Sequence, residues 1–135
     1  MRKIFVDTCY WIALINPHDQ LHAKAVHLAN ELSEFNFVTT DEVLIELLNY
    51  FSSKDYRLKE VAIGFIHESL NDPQVTVLMQ SRDSFLEGFS LFEKRIDKKY
   101  SLTDCISMCA MKKSEINDVL TADLDFQKEG FTILL

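Results

Sequence analysis

The chain of 135 residues contains only three glycines and two prolines. So few flexible or chain-breaking residues leave no room for a linker or low-complexity tract, and a single domain over residues 1–135 is expected. Cysteine is sparse and odd in number: Cys9, Cys105 and Cys109. A chain that is 47% hydrophobic can build a core without disulfide staples, so reduced thiols and a cytoplasmic setting are expected. Cys105 and Cys109 stand one helical turn apart, but no histidine or third cysteine lies near at a zinc-like spacing. Burial in the core is their expected role. No apolar run approaches the ~20 residues of a membrane helix, so no membrane association is expected. The opening Met1-Arg2-Lys3-Ile4-Phe5-Val6-Asp7 meets a charge too early for the apolar stretch of a secretion signal. Positive charge is also in deficit. A formal net charge of -7 argues against a passive nucleic-acid-binding module, since such domains are usually basic. It weighs less against a metal-dependent nuclease, whose own acids enlarge the negative total.

What is present alternates between short β-rich runs and longer helical ones. Ile4-Phe5-Val6 reads as a strand ending at Asp7 and Thr8, followed by a helix that Asn16-Pro17-His18-Asp19 breaks. Leu21, Ala25, Leu28, Ala29 and Leu32 recur at helical spacing from about Gln20 to Leu32. Phe37-Val38-Thr39 is a second strand. Thr39, with Glu42 three residues on, has the capping-box spacing and predicts a helix through Phe51. Helices are further expected over Tyr56–Leu70, over Ser84–Ile96, and from Ser101 to about Met111. Val75–Leu78, Val119-Leu120-Thr121 and Thr132–Leu135 complete the strands. Strands alternating with helices predict an α/β fold of three layers, α/β/α, around a mostly parallel sheet. Ligands of such sheets bind beyond the carboxyl ends of the strands. Asp7 and Asp123 each follow a strand there.

Four acids stand out by position: Asp7, Glu46, Asp104 and Asp123. Each has a structural reading of equal or nearly equal weight. Asp7 can cap the helix that follows it, Asp104 completes a capping box with Ser101, and Asp123 suits a turn. Glu46 is harder to dismiss, because it interrupts the apolar run Val43-Leu44-Ile45-Glu46-Leu47-Leu48. A buried carboxylate needs a partner or a metal. Together the four imply more than any one. Carboxylates ~4 Å apart repel by ~4 kcal/mol per pair at an effective dielectric of about 20. A fold that gathers them must protonate some or bind a cation, and hard ions such as Mg²⁺ or Mn²⁺ suit oxygen donors. Such ions activate water against phosphodiesters, which is nuclease chemistry.

Phe5-Val6-Asp7-Thr8, Val43-Leu44-Ile45-Glu46-Leu47-Leu48, Ser101-Leu102-Thr103-Asp104 and Leu120-Thr121-Ala122-Asp123 resemble the PIN-domain family in order and spacing. Asp125-Phe126, Gly130-Phe131 and an opening helix with Asp19, His22 and Ala25 extend the resemblance along essentially the whole chain. It is nearest to the VapC-type ribonuclease toxins of toxin–antitoxin systems. The resemblance implies a parallel-sheet α/β/α fold, Mg²⁺ or Mn²⁺ as cofactor, and endonucleolytic cleavage of RNA. It also implies catalytic, metal-holding roles for Asp7, Glu46, Asp104 and Asp123, with an antitoxin and a second copy of the chain as partners. Cys9 departs from the family, where a small polar residue is usual, and puts a supporting hydrogen bond in doubt. Glu42 competes with Glu46 one turn earlier. Asp125 is either an outer acid or a helix cap, and Thr8 and Thr121 either position water or cap locally.

Around these acids, Lys94, Arg95, Lys98, Lys99, Lys112 and Lys113 offer a track for an RNA backbone, against the plainer reading of a solvated face. Lys54, Arg57 and Lys59 form a weaker cluster. Tyr50, Phe51, Phe65, Phe85, Phe89 and Phe92 recur at helical spacing and read as core, with some available to a second protein. His18 and His22 lack a third ligand and are not read as a metal pair. Two rivals stay open: a phosphoacceptor receiver domain, and a catalytically silent PIN-like binding module. The receiver wants paired acids after the first strand and a lysine after a late one. This chain has one acid at Asp7 and Thr121-Ala122-Asp123 at the later position.

Overall fold

A computed structural model describes residues 2–135. Its elements are, in order, β1 (Lys3–Val6), α1 (Thr8–Ile15), α2 (His22–Glu31), β2 (Asn36–Thr40), α3 (Asp41–Phe51) and α4 (Tyr56–Asn71). They continue with β3 (Val75–Leu78), α5 (Arg82–Lys94), α6 (Leu102–Lys113), β4 (Asp118–Leu120), α7 (Asp125–Lys128) and β5 (Thr132–Ile133). Every pairing in the five-stranded sheet is parallel, and the order is β3-β2-β1-β4-β5. The expected α/β/α layers are therefore present.

Parallel strands need long crossovers, and helices covering both faces bury the sheet completely. Ile4, Phe5, Val6, Val119 and Leu120 are accordingly withdrawn from water, which explains their unbroken apolar runs. From β1 the chain moves outward to β2 and β3, then returns to place β4 on the other flank of β1. That reversal puts a crevice at the carboxyl ends of β1 and β4, where open α/β sheets bind their ligands. The amide of Asp7 extends the ladder by donating to the Leu120 carbonyl at 3.2 Å.

Helix ends show which local signals govern. The box at Ser101 forms as read: its hydroxyl accepts from the Asp104 amide and Asp104 accepts from the Ser101 amide, both at 3.0 Å. The cap of α3 sits one residue later than the sequence suggested. Thr40 accepts from the Val43 amide, while the Thr39 hydroxyl donates to the Val6 carbonyl and ties β2 to β1. Helix α5 starts at Arg82 and ends at Lys94, two residues ahead of the expected span at each end, because Ser81 and Ser84 form its capping box. Its Gly88 allows close packing on α6: a Cβ there would overlap the Ile106 side chain and lie 3.1 Å from its backbone. No helix among the described residues is long and apolar enough to cross a membrane.

The aromatic residues divide. Phe51 is fully buried and Phe65 packs against the core as expected, but Tyr50, Phe85, Phe89 and Phe92 are exposed. Helical spacing identifies a common face without showing whether anything covers it.

Candidate active site

The four acids arise from four separate pieces of chain. Asp7 follows β1, Glu46 lies on α3, Asp104 lies in the first turn of α6, and Asp123 lies between β4 and α7. All four face one open cavity of about 320 Å³, whose wall also includes Thr8, Cys9 and Tyr50. Glu42 is not on this wall; it faces two neighbouring hollows instead.

Asp7 is the most deeply set. Although it precedes α1, its carboxylate caps no backbone amide of that helix, so the capping explanation fails for it. It accepts a 2.8 Å hydrogen bond from the Thr121 hydroxyl instead. Removal from water pushes its pKa up from 3.8 to about 6, against the lowering effect of Thr121, and the negative charges of Asp104 and Glu46 add to the rise. The same forces act on Asp104. Burial raises its pKa first, its Ser101 hydrogen bonds oppose that, and Asp123 and Glu46 push it further upward. Asp104 is thus both a capping residue and a member of the cluster. Asp123 also has a double role, since its Oδ1 accepts from the Asp125 amide at 2.9 Å. That assigns the turn at the start of α7 to Asp123. Asp125 does not cap it and instead pairs with Lys128 at 2.9 Å.

A chain of hydrogen bonds supports Asp7. A threonine hydroxyl has one proton to give, and Thr121 gives it to Asp7. Its oxygen accepts from the Asp123 amide at 3.1 Å and lies 3.1 Å from the Cys9 Sγ, which also approaches Asp7 Oδ2 at 3.9 Å. The Cys9 sulfur in turn accepts from the Ala122 amide at 3.3 Å. A neutral thiol is required throughout, and burial together with nearby Asp7 holds the Cys9 pKa above its usual value. The departure at Cys9 therefore keeps the supporting bond that the sequence put in doubt.

A hard divalent cation suits this donor set. The cavity offers carboxylate oxygens, and no cation is paired with Asp7, Asp104, Asp123 or Glu46 among the described residues. The Thr8 hydroxyl on the same wall is buried and has no hydrogen-bond partner among the described residues. Among the described residues, no three acidic, histidine or cysteine groups are drawn together tightly enough to hold one ion in the side-chain positions seen. Asp7, Asp104 and Asp123 each direct one oxygen to a neighbour, leaving the other available.

Other sequence candidates have structural work. Arg95 lies beyond α5 and binds Glu129 at 3.0 Å, so it is not a free element of an RNA track. Lys98 approaches Asp97 at 3.9 Å and Lys113 approaches Glu87 at 3.6 Å. His22 uses Nδ1 on the Ala13 carbonyl at 2.8 Å, and His18 is exposed. Cys105 is buried, and Cys109 is half-buried and unpaired. Tyr50 is the wall residue that sequence reasoning assigned wrongly to the core.

Comparison with known proteins agrees with the fold. The 23S rRNA-specific endonuclease VapC20 of Mycobacterium tuberculosis is 28% identical over 128 residues, covering 95% of each chain. Its crystal structure, described as that of a Sarcin-Ricin loop cleaving toxin, superposes with a TM-score of 0.85 at 25% identity and covers 96% of both chains. FitAcB of Neisseria gonorrhoeae, at 17% identity, gives a TM-score of 0.66 over 98% of this chain and 96% of that one. VapBC2 of Rickettsia felis, bound to a DNA fragment from its promoter, gives 0.68 at 12% identity over 98% and 97%. The last two similarities concern the fold alone. The PIN domain pattern matches residues 4–131, and the chain belongs to the PIN domain family.

Proposed function

We propose that this protein is a metal-dependent endoribonuclease acting in the cytoplasm, the toxin of a type II toxin–antitoxin pair. The observation that carries the reading is the convergence of Asp7, Glu46, Asp104 and Asp123 on one cavity at the crevice of a parallel sheet. Membership of the PIN domain family and similarity to a named 23S rRNA-specific endonuclease over 95% of the chain support it. A catalytically silent module would have no reason to keep four unpaired acids together, because their mutual repulsion only destabilises the fold. The relative's description as a toxin supports an antitoxin protein as partner.

Asp7, Glu46, Asp104 and Asp123 would hold the ion, Mg²⁺ or Mn²⁺. When bound, such an ion supplies Lewis acidity toward water and phosphate oxygens. The chain's own residues set the stage for that chemistry. Thr121 fixes one Asp7 oxygen and leaves the other facing the cavity, and the Cys9–Ala122 link fixes the orientation of Thr121. The Ser101 box does the same for Asp104 at the tip of α6.

The test is cleavage of a 23S rRNA fragment, and of unrelated RNAs, with Mn²⁺, with Mg²⁺ and with chelator. Metal-dependent internal cuts are expected, with at least ~100-fold less cleavage by the Asp7→Asn protein. Wild-type protein that cuts no RNA with either metal, or an Asp7→Asn protein as active as wild type, would overturn the reading.

A further inference from the structure

Nuclease chemistry on an acidic protein raises a problem: something must hold a polyanion against a site lined with carboxylates. Five of the cations are paired with acids of the chain: Arg2 with Asp118, Arg95 with Glu129, Lys98 with Asp97, Lys113 with Glu87 and Lys128 with Asp125. Two that have no ion pair among the described residues sit beside the acid cavity and its neighbour, each over an aromatic ring.

The first is Lys54, whose ammonium lies 4.7 Å from the centre of the Tyr50 ring. Tyr50 is 37% exposed and forms part of the wall shared with the four acids. Its ring is anchored by edge-on packing against the fully buried Phe51, with centroids 5.0 Å apart. The second is Arg82, whose guanidinium lies 5.7 Å from the centre of the Phe85 ring, itself 39% exposed and stacked near-parallel on the Phe89 ring with centroids 6.1 Å apart. Arg82 and Phe85 line a groove of about 710 Å³ that also carries the polar side chains of Asn49, Gln80 and Thr103. Glu46 lies on the wall of both the groove and the acid cavity, so the two hollows meet at a proposed metal-holding residue.

We propose that Tyr50 with Lys54, and Phe85 with Arg82, are two stations that seat unpaired RNA nucleotides, one in each of the hollows that share Glu46. The inference rests on the nuclease reading above. A base of any identity can take the place of the cation on an exposed ring face, and the displaced cation, still tethered beside the ring, then takes the phosphate. Stacking at two separated points would draw the intervening phosphodiester across the acids, whose repulsion alone would drive it away. Specificity then follows from unpairing: a duplex cannot offer its bases to both rings, whereas a loop or a single strand can.

The test is equilibrium binding of a fluorescent single-stranded RNA in chelator, where no cleavage intervenes, together with steady-state cleavage in Mn²⁺. Tyr50→Ala and Phe85→Ala should each weaken binding about tenfold, within the range found for loss of one base-stacking ring. The loss should appear mainly in KM. Tyr50→Phe should restore binding, because the ring and not the hydroxyl is required. Tyr50→Trp should report the stacked base directly, through quenching of the new indole when RNA is added. In the Lys54→Gln, Arg82→Gln double variant, the slope of log affinity against log salt should become shallower by on the order of 1.4, about 0.7 for each single-strand phosphate that is no longer neutralised. A duplex of the same sequence should bind wild type weakly and respond little to either alanine change.

If Tyr50→Ala and Phe85→Ala bind and cut single-stranded RNA like wild type while Asp7→Asn is inactive, the two stations are refuted and the nuclease reading stands. If wild type cuts no RNA, both fall. Should Phe85→Ala alter only self-association in the ultracentrifuge, with RNA affinity unchanged, that ring belongs to a protein interface and the inference is likewise overturned.

Discussion

Two carboxylates withdrawn from water, Asp7 and Glu129, have opposite electrostatic surroundings. The Glu129 side chain is only 6% exposed, yet Arg95 donates to it at 3.0 Å and the Tyr100 hydroxyl donates at 3.0 Å. Arg95 holds its pKa below the ordinary carboxylate range despite burial. Asp7 accepts from the Thr121 hydroxyl, with the Thr8 amide and the Cys9 thiol nearby, and the charges acting on it are negative. Its pKa rises to about 6. A fold that needs a buried acid for stability gives it a cation from its own chain. Leaving the acid without one is the pattern expected of a site that takes its cation from elsewhere, as proposed for Asp7. Burial alone does not separate the two cases, but the sign of the neighbouring charge does.

The strongest way to sharpen this contrast is through activity. Asp104→Asn, which keeps the shape of the Ser101 box, should lower the single-turnover rate of RNA cleavage by about a hundredfold or more while leaving far-ultraviolet circular dichroism unchanged. Glu129→Gln should cut RNA at nearly the wild-type rate. Equal rates for the two variants would erase the distinction between them.

Next in size is an inversion in stability. A pKa raised from 3.8 to about 6 means that metal-free folding is favoured by protonation of Asp7. That contribution is full below about pH 3.8 and is lost as the pH rises through about 6, a difference on the order of 3 kcal/mol. Metal-free Asp7→Asn should therefore melt above wild type at pH 7, with the gap closing toward pH 4. Glu129 carries the opposite sign. Its contribution is present above pH 4.5 and is lost as the pH falls through its lowered value, so Glu129→Gln should melt below wild type at pH 7. Thermal melts of the three proteins across pH 4–8 decide the matter: an Asp7→Asn gap that does not change with pH would refute the first sign, and a Glu129→Gln protein melting at or above wild type at pH 7 would refute the second.

Metal should reverse the Asp7 result. At about 100 times its Kd, Mn²⁺ should add ~2.7 kcal/mol to wild type, and Asp7→Asn should lose most of that gain. A smaller effect is expected one bond further out. Thr121→Val removes the hydroxyl that lowers the Asp7 pKa, so the acidic limb of the pH–rate profile should move to higher pH. An unmoved limb would show that Thr121 does not tune Asp7.

Much of the fold was legible because its signals are local. The box at Ser101 and Asp104 lies within four residues, and the strand of Ile4, Phe5 and Val6 needed only its uninterrupted apolar character. The crevice was legible too, since in a parallel sheet the residues after a strand mark its functional edge. What failed depends on distant partners. Thr39 and Thr40 are equivalent caps until the Val6 carbonyl claims one of them. Arg95 reads as part of a basic track until Glu129, 34 residues later, engages it. Cys9 reads as a defect until Thr121 and Ala122 arrive beside it. Tyr50 and Phe85 were misassigned because periodicity shows which residues share a face and nothing about what lies opposite.

The hydrogen bond from Thr121 to Asp7 spans 114 residues, and it exists only because β4 inserts beside β1 on the flank opposite β2. Pairing across such a separation must meet a loop-closure cost before its contacts form. A chain that has joined only β1, β2 and β3 holds Asp7 and Glu46 but no Asp123 at their side. On the nuclease reading, the cutting edge is therefore a product of long-range sheet assembly, and no single helix or loop of the chain carries it alone.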